Sequence, residues 1–404
     1  MMILEAKRVA IVGLGKSGVA AARVCLERGA EVIALDEAQP DTLSADAHAL
    51  VEQGARLECG PLSAEQLQGK DIVVVSPGIP ENAALDQAAA AGSEVIGELE
   101  LASRLVTAPI ALIGGTNGKS TVTAWVAAML QRAGKKVFVG GNFGTAMCEA
   151  VDDPWDAMVV EISSFQAERV PTLHARVHAL LNITDDHLDR YDGFQAYADA
   201  KGNPFVPMTA DDLAVLPAGD ERCLAQARRG QARQVFFSVE PGKGDVTLDG
   251  KTIVDRAFDG RYPVGNLKVR GTHNLENACA AIAVARSLGA PPEAIVAALA
   301  DFEGLPHRHV LVAEVDGVRY YDDSKATNVG AAVAALTGLE EPKAVLIAGG
   351  RDKQGDLAPL ADALQARGRA LIVLGEAAER IAVAAAGALP IVTVSSMAEA
   401  VREA

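Results

Sequence analysis

The sequence predicts an α/β protein with parallel sheets in three domains, and three observations lead to this prediction. Half of the 404 residues are hydrophobic but only 4% are aromatic, which is typical of buried parallel strands and Ala-rich helices. Short apolar runs alternate with helical stretches along the chain, which is the pattern of βαβ units. The chain is also longer than one hydrophobic core usually supports.

The first domain is expected over residues 1–97, with a Rossmann-like sheet. Its first strand leads into a turn with glycines at positions 13, 15 and 18, and the next strand ends in Asp36. Gly-x-Gly-x-x-Gly followed by such an acid is the fingerprint that holds a diphosphate at a helix N-terminus. Because the glycine turn contacts phosphate and not nicotinamide, we favour a nucleotide-sugar diphosphate over NAD(P).

The second domain, expected over residues 98–304 with a mainly parallel sheet, contains the most informative motif. The apolar run 110–113 leads through Gly114 and Gly115 into Asn-Gly-Lys-Ser-Thr, and a helix is predicted over 122–130. In such a unit the turn amides face an anion, a lysine reaches the terminal phosphates and a serine can bind Mg²⁺. Ile113 stands where the general pattern has its first glycine, yet the flanking strand and helix favour a nucleoside-triphosphate site over a simple turn. The predicted ATP-binding residues of this loop are Gly115, Thr116, Asn117, Gly118, Lys119, Ser120 and Thr121.

Two acidic strand ends in the same domain are candidate metal and substrate sites. Glu161 ends a strand beside a pair of serines, and a carboxylate there can bind the Mg²⁺ that bridges nucleotide phosphates. His187 follows Asp185 and Asp186 after another strand, so we predict a metal ligand or a substrate contact. A surface salt bridge for Glu161 and an ordinary surface histidine are the alternatives.

The third domain, expected over residues 305–404, carries cations near predicted strand ends. Arg308, Lys325 and Lys353 lie near such ends in a chain that is acidic overall. The planar fork of an arginine matches phosphate oxygens, which suits a γ-phosphate clamp, whereas a solvated charge run is the alternative. We expect this domain to be mobile, because it must bring its cations over the phosphate loop.

Charge and cysteine usage exclude several classes of protein. The formal net charge of −16 argues against nucleic acid as the main partner. The five cysteines are scattered and form no CxxC pair, so neither a disulfide framework nor a zinc site is indicated. No signal-peptide pattern and no membrane-length apolar run is evident. We therefore expect a cytoplasmic enzyme. A monomer is expected as well, although none of these observations bears on the oligomeric state.

Four blocks of sequence together resemble the Mur ligase family of peptidoglycan synthesis. They are residues 115–121, 161–166 (Glu-Ile-Ser-Ser-Phe-Gln), 182–191 and 323–330. The Ser-Ser-Phe-Gln form is typical of the glutamate-adding class, and the resemblance covers essentially the whole chain. It implies a UDP-binding domain, an ATPase domain and a mobile C-terminal domain. It also implies an ATP-dependent amide ligase that joins D-glutamate to UDP-N-acetylmuramoyl-L-alanine through an acyl phosphate.

The resemblance further implies roles for individual residues. Lys119 and Arg308 would neutralise charge on the transferring phosphoryl group, and two Mg²⁺ sites are expected. The implied metal ligands are Ser120 and Glu161 for one ion and His187 and carbamylated Lys201 for the other. The implied nucleotide contacts beyond the loop are Asn277, Arg308 and Asp323. The implied contacts with the UDP-muramoyl substrate are Lys16, Ser17, Asp36, Ser76, Pro77, Gly78, Asn142 and His187. The implied groups near glutamate and the phosphates are Lys325, Thr327 and Lys353. The residues predicted to act in catalysis are Lys119, His187, Lys201, Arg308 and Lys353.

The sequence departs from the family pattern in three places. Gly-Asn-Pro at 202–204 is expected to end the helix that carries Lys201, which affects where this lysine points. Arg351 stands where close relatives often have an acid. The chain stops at Ala404, before the strand and loop that hold the glutamate carboxylate in relatives, so we expect a truncated third domain or a different mode of glutamate binding.

Three alternative functions remain open from the sequence. One is another ligase of this family or a folylpolyglutamate-synthase-like enzyme, against which the Gly-x-Gly-x-x-Gly turn and Ser-Ser-Phe-Gln argue. Another is a non-catalytic nucleotide-sugar-binding protein. The third is an NAD-dependent oxidoreductase, which would have little use for a second phosphate site.

Overall fold

The computed structural model describes residues 2–269 and 271–404, and its first unit is a five-stranded parallel sheet. The strand order is β3-β2-β1-β4-β5, with helices between successive strands. A Cβ on Gly18 would collide with the carbonyl oxygen of Gly13, so the glycine allows the first helix to approach the first strand. The strands are β1 (Arg8–Val12), β2 (Glu31–Asp36), β3 (Arg56–Cys59), β4 (Ile72–Val75) and β5 (Glu94–Gly97). The helices are α1 (Lys16–Glu27), α2 (Ala45–Glu52), α3 (Ala64–Leu67), α4 (Ala83–Ala90) and α5 (Glu98–Ser103), the last leading into the second unit.

The second unit is a nine-stranded sheet in the order β14-β13-β12-β11-β10-β9-β6-β8-β7. Neighbours from β7 to β12 are parallel, and the last two pairs are antiparallel. The carboxyl ends of β6, β8 and β9 therefore meet at one edge. The strands are β6 (Ile110–Gly114), β7 (Val137–Gly141), β8 (Ala157–Glu161), β9 (Val177–Leu180), β10 (Leu213–Pro217), β11 (Arg233–Ser238), β12 (Val246–Asp249), β13 (Thr252–Asp255) and β14 (Gly260–Pro263). The helices are α6 (Lys119–Arg132), α7 (Ser164–Ala167), α8 (Phe194–Gly202), α9 (Glu221–Ala227), α10 (Thr272–Ser287) and α11 (Pro292–Asp301).

Helix α6 is fixed by the core of this second unit. Its Trp125 is completely buried, and the ring lies 4.7 Å from that of Phe302, centroid to centroid. Helices α10 and α11 both pack against α6. Removing a buried aromatic ring of this kind costs about 3–5 kcal/mol, so this packing holds the start of α6 firmly at the sheet edge.

The third unit has a two-stranded antiparallel hairpin followed by a three-stranded parallel sheet in the order β17-β18-β19. Its core is small and is built around Leu336, Leu364 and Leu371. The hairpin strands are largely exposed. The strands are β15 (Val310–Val315), β16 (Val318–Asp322), β17 (Ala344–Gly349), β18 (Gly368–Leu374) and β19 (Ile391–Thr393). The helices are α12 (Val329–Gly338), α13 (Ala358–Arg367), α14 (Ala378–Ala384) and α15 (Met397–Glu403).

The predicted α/β architecture with parallel sheets is confirmed. The predicted strand ends at Asp36 and Glu161 agree with β2 and β8, whereas α6 begins at Lys119, earlier than the predicted start at 122. This difference arises because Lys, Ser and Thr of the loop also form the first helical turn, where the apolar period is not yet visible. The predicted domain limits at 97 and 304 stay predictions.

Candidate active site

The phosphate-binding loop joins β6 to α6 and depends on two glycines. Gly115 and Gly118 have φ angles of 135° and 85°, a region that favours residues without a Cβ. A Cβ on Gly118 would also collide with Oδ1 of Asn277, which approaches the loop from α10. The structure thus places Asn277 beside the loop, and its contact with a nucleotide stays a prediction.

Side chains beyond β9 hold the loop in place. Oδ1 of Asn182 accepts hydrogen bonds from the backbone N–H groups of Thr116 (3.1 Å) and Asn117 (2.8 Å). The hydroxyl of Thr116 lies 2.9 Å from that of Tyr197 in α8. Neither Asn182 nor Tyr197 was predicted as a site residue. The position of Asn182, just after a strand beside β6, is the signal that could have found it.

Two lysines converge on a single carbonyl of this loop. Nζ of Lys119 donates to the carbonyl oxygens of Gly115 (3.0 Å) and Thr116 (2.8 Å), and Nζ of Lys201 donates to that of Gly115 (2.8 Å). Burial lowers the pKa of Lys119, although the charges of Glu161 and Asp186 oppose this effect. Burial and then the charge of Lys119 hold the pKa of Lys201 well below its ordinary value.

Lys201 reaches the loop even though its helix ends immediately afterwards. Helix α8 stops at Gly202, and a 3-10 turn over Asn203–Phe205 follows, as the Gly-Asn-Pro sequence predicted. The lysine lies in the last helical turn, is only 5% exposed, and its Nζ stands 4.7 Å from the ring centroid of Tyr197. The early helix end therefore leaves Lys201 directed at the loop. Its carbamylation stays a prediction.

Glu161 presents one unpaired carboxylate oxygen at the end of β8. Its Oε1 accepts a hydrogen bond from Nδ2 of Asn142 at 2.6 Å. Its Oε2 is buried and has no hydrogen-bond partner among residues 2–269 and 271–404. Because a buried, unpaired carboxylate oxygen is costly, this geometry fits a cation such as Mg²⁺ bound to that oxygen.

His187 lies beside Asp186 in the loop that follows β9, the strand on the other side of β6 from β8. It has a φ of 54°, and its Nε2 is 3.7 Å from Oδ2 of Asp186. Its ring packs against Phe165, with 4.7 Å between ring centroids. Burial lowers the pKa of His187, and the charge of Asp186 offsets only part of this effect. A neutral imidazole at this place is suited to bind a cation or a substrate.

The third unit places cations against the phosphate-binding loop and the acids beside it. Nη2 of Arg308 donates to the hydroxyl of Ser120 at 2.8 Å, and Nζ of Lys353 donates to Oδ1 of Asp186 at 2.9 Å. Arg351 donates to Asp189 at 3.2 Å, so the unusual arginine makes a contact between units. Burial opposes ionisation of Asp186, but the bond from Lys353 and the nearby charges outweigh it, so the pKa of Asp186 is lowered.

The residues that flank Arg308 and β16 differ in their burial. Oδ1 of Asp323 accepts a hydrogen bond from the backbone of His309 (3.0 Å), and burial raises the pKa of Asp323. The ring of His309 stacks on Tyr321, with 4.7 Å between centroids. Lys325 and Thr327, in contrast, are exposed. His309, which directly follows Arg308, was not predicted as a site residue.

The glycine turn of the first unit is held by two of its predicted substrate-binding residues. Oδ2 of Asp36 accepts a hydrogen bond from the backbone of Leu14 (2.6 Å), and Oδ1 accepts one from Ala38 (2.8 Å). The hydroxyl of Ser76 donates to the carbonyl of Gly13 at 2.7 Å. Lys16 and Ser17 begin α1, so their side chains lie at a helix N-terminus that can face an anion.

Arg190 joins the first unit to the second and was missed by the sequence reasoning. Its Nη1 donates to the carbonyl of Pro77 (3.3 Å), and its Nη2 donates to Glu168 (3.0 Å). Its guanidinium lies 4.3 Å from the ring centroid of Phe165, the ring that also contacts His187. A single side chain therefore links the loop after β4 to Phe165 and Glu168, in and just after helix α7 of the second unit. The available signal was its position within residues 182–191, three residues after His187.

Together these features define an α/β enzyme of the nucleotide-dependent class. Its second unit carries the phosphate-binding loop, and its third unit places Arg308 and Lys353 against that loop and the acid beside it. The chain belongs to the Mur ligase family. The Mur ligase MurD-like N-terminal domain matches residues 7–97, the Mur ligase middle domain matches 113–285 and the Mur ligase glutamate ligase domain matches 307–404. The family resemblance inferred from the motifs is thus confirmed, and with it the three-domain organisation.

Several curated relatives align with nearly the whole chain. A UDP-N-acetylmuramoylalanine–D-glutamate ligase from Anaeromyxobacter dehalogenans is 44% identical over 94% of this chain and 85% of its own length. A protein of the same name from Syntrophotalea carbinolica is 42% identical over 98% of this chain and 89% of its own length.

Solved structures share the fold at low sequence identity. A UDP-N-acetylmuramate-alanine ligase from Thermotoga maritima has a TM-score of 0.59 and 22% identity, over 98% of this chain and 92% of that one. A folylpolyglutamate synthase from Mycobacterium tuberculosis, solved with ADP, has a TM-score of 0.61 and 18% identity, over 76% and 84%. In the part of the chain that the structure describes, no helix has the length and apolarity needed to cross a bilayer.

Proposed function

We propose that this chain is the ATP-dependent ligase of the MurD class, which adds D-glutamate to UDP-N-acetylmuramoyl-L-alanine in peptidoglycan precursor synthesis. The names of the relatives that align over nearly the whole chain support this choice of substrates. The observation that carries the reaction type is the contact of Arg308 with Ser120, since it adds a cation from another unit to the two lysines at the phosphate-binding loop. The proposed domains are residues 1–97 for UDP, 98–304 for ATP and 305–404 for glutamate.

The nucleotide is proposed to bind at residues 115–121, with Asn277 and Asp323 as further contacts. Lys119 and Lys201 donate to loop carbonyls beside the start of α6. When the triphosphate binds, Lys119 exchanges its carbonyl partners for the terminal phosphates, which is the usual role of the lysine in such a loop. Arg308 then faces the same phosphates from the opposite side.

Mg²⁺ is proposed to be held at two places. Ser120 and the unpaired Oε2 of Glu161 suit the first ion, since Mg²⁺ takes oxygen ligands and few of them from the protein. His187 and a carbamylated Lys201 are proposed for the second, because the lowered pKa of Lys201 favours the neutral amine that reacts with CO₂. When bound, these ions neutralise phosphate charge during transfer.

The substrates are proposed to lie on either side of the nucleotide. The glycine turn of the first unit and the loop held by Arg190 form the proposed UDP site, with Asn142 beside the muramoyl group. Lys353 borders Asp186 and, with Lys325 and Thr327, is proposed for glutamate and the phosphates. The residues proposed for the UDP site are Lys16, Ser17, Asp36, Ser76, Pro77 and Gly78.

The proposed chemistry has two bond exchanges. An oxygen of the L-alanine carboxylate bonds to the γ-phosphorus as the bond between that phosphorus and the bridging oxygen of ADP breaks. The glutamate amine then bonds to the acyl carbon, inorganic phosphate leaves and the amine gives up a proton. Lys119 and Arg308 stabilise the charge that spreads over the phosphoryl oxygens, a type of stabilisation whose loss costs about 10²–10³-fold in rate.

The test is phosphate release from ATP with substrates added singly and together. We expect release only when UDP-N-acetylmuramoyl-L-alanine and D-glutamate are both present. Release that is independent of the muramoyl nucleotide would contradict the proposal. Nucleotide-sugar binding without any release would favour the non-catalytic alternative.

A further inference from the structure

The side chain of Asn328 has two separate functions in the structure, and the first is to cap a helix. Its Oδ1 accepts a hydrogen bond from the backbone N–H of Ala331 at 2.9 Å. Its backbone is extended, with φ −145° and ψ 167°, as expected of the residue before the first turn of α12. This bond alone would explain an asparagine at this position.

The second function uses the amide nitrogen of the same side chain. Nδ2 of Asn328 donates to Oδ1 of Asn117 at 3.0 Å and to Oδ2 of Asp186 at 3.1 Å. Because an ionised carboxylate only accepts hydrogen bonds, Asp186 fixes which end of the amide faces the second unit. The amide nitrogen thus donates its two hydrogens to acceptors in the second unit, while the amide oxygen caps helix α12 of the third unit.

One acceptor lies in the phosphate-binding loop, and the other is the acid that Lys353 contacts. Asn117 lies in the phosphate-binding loop, and its backbone N–H is held by Asn182. Asp186 also accepts from Lys353 and precedes His187. The approach is close, since a Cβ on Gly330 would stand 3.1 Å from Nδ2 of Asn117. The first turn of α12 therefore packs directly against the phosphate-binding loop.

We propose that Asn328 is a positioning residue for phosphoryl transfer, which ties α12 to the phosphate-binding loop and to Asp186 and thereby sets the place of Arg308 and Lys353 when the third unit docks. It touches no reacting group. Arg308, Asn328 and Lys353 contact Ser120, Asn117 and Asp186 respectively, and three separate points are enough to fix the orientation of one body on another. The inference rests on the proposed ligase function only where it is tested by enzyme kinetics.

The substitution Asn328→Asp tests the contacts with Asn117 and Asp186 separately from the helix cap. Aspartate caps a helix as well as asparagine does, so the helix keeps its N-terminal acceptor. The substitution removes the donor to Asn117 and sets a second carboxylate against Asp186. Asn82→Asp is the matched control, because Asn82 caps α4 in the first unit through Ala84 and Leu85 and has no contact with the phosphate-binding loop.

Two measurements on the full-length protein decide the question. In phosphate release with both substrates, we expect Asn328→Asp to lose about 100-fold in kcat with a Tm within ~2 °C of the wild type, while Asn82→Asp changes neither. In small-angle scattering with a non-hydrolysable ATP analogue, we expect a larger radius of gyration for Asn328→Asp than for the wild type.

Wild-type kcat and an unchanged radius in Asn328→Asp would overturn the inference and leave a helix cap only. A lower Tm that accounts for the lost activity would also overturn it. If the wild type itself shows no ligase turnover, the proposed function fails, and the scattering comparison still decides whether Asn328 holds the third unit in place.

Discussion

Nη2 of Arg308 donates a hydrogen bond to the hydroxyl of Ser120 at 2.8 Å, although 188 residues separate the two in the chain. The contact places the guanidinium of the third unit at the first turn of α6. It also occupies the hydroxyl that is proposed to bind Mg²⁺. Nucleotide binding is therefore expected to replace this contact with bonds from Arg308 to phosphate oxygens.

Arg308→Lys is expected to lower kcat by about 10²–10³-fold, because a lysine keeps the charge but loses the planar fork that matches two phosphate oxygens. ATP affinity measured by calorimetry should change by less than the rate does. Arg319→Lys, on the exposed hairpin of the same unit, serves as the control. Equal rates for the wild type and Arg308→Lys would remove Arg308 from the transfer step.

Lys201→Ala is expected to abolish turnover, with partial recovery in the presence of a small carboxylate such as acetate. The reason is that burial and Lys119 lower the pKa of Lys201, which favours the neutral amine that CO₂ converts to a carbamate. Phosphate release in the wild type should accordingly fall when CO₂ is removed and return with bicarbonate. Activity that is indifferent to both the substitution and CO₂ would exclude Lys201 from the metal site.

Arg190→Lys is expected to raise the KM for the UDP substrate about tenfold while kcat changes less. A lysine cannot donate at once to the carbonyl of Pro77 and to Glu168 while it stacks on Phe165, so the loop of the UDP site loosens. The KM for ATP should stay close to the wild-type value. A fall in kcat with an unchanged KM for the UDP substrate would point to His187, through Phe165, as the group that Arg190 affects.

Ionisation of the buried Glu98 is expected to lower the free energy of unfolding as pH rises. Burial raises the pKa of Glu98 to about 7, despite hydrogen bonds from Cys148 that favour the ionised form. Since an unfolded glutamate titrates near 4.5, only the folded state holds this proton between these two values. The free energy of unfolding therefore falls as pH rises from about 4.5 to about 7, and the stabilisation is lost above that.

Glu98→Gln keeps the acceptor for the backbone N–H of Cys148 at Oε1 and removes the ionisation. Its Tm should therefore exceed that of the wild type by about 3 °C or more at pH 8.5, and the difference should shrink towards pH 5. A Tm difference that does not vary with pH would show that Glu98 has an ordinary pKa.

Local patterns predicted many of the elements but few of the contacts between them. The strands that end in Asp36 and Glu161 were found because apolar runs with polar ends mark buried parallel strands. Strands β10 and β11 were not among the predicted strands. The bond from Asn328 to Asn117 spans 211 residues, and no spacing rule predicts it.

The same reason explains which site residues were found. Gly118 and Lys119 lie in a contiguous motif whose chemistry is local. Arg190 and Asn182 act through backbone carbonyls or N–H groups of distant loops, and residue types alone do not reveal such partners. The unpaired Oε2 of Glu161 likewise becomes visible only when its surroundings are known.

The most direct test of the account is the mass of the product formed from ATP, UDP-N-acetylmuramoyl-L-alanine and each of a panel of amino acids that includes both glutamate enantiomers. We expect the muramoyl nucleotide to gain one glutamate residue with D-glutamate only, with one ADP and one phosphate formed per amide bond. Ligation of a different amino acid in preference to D-glutamate, or ATP turnover without an amide product, would contradict it.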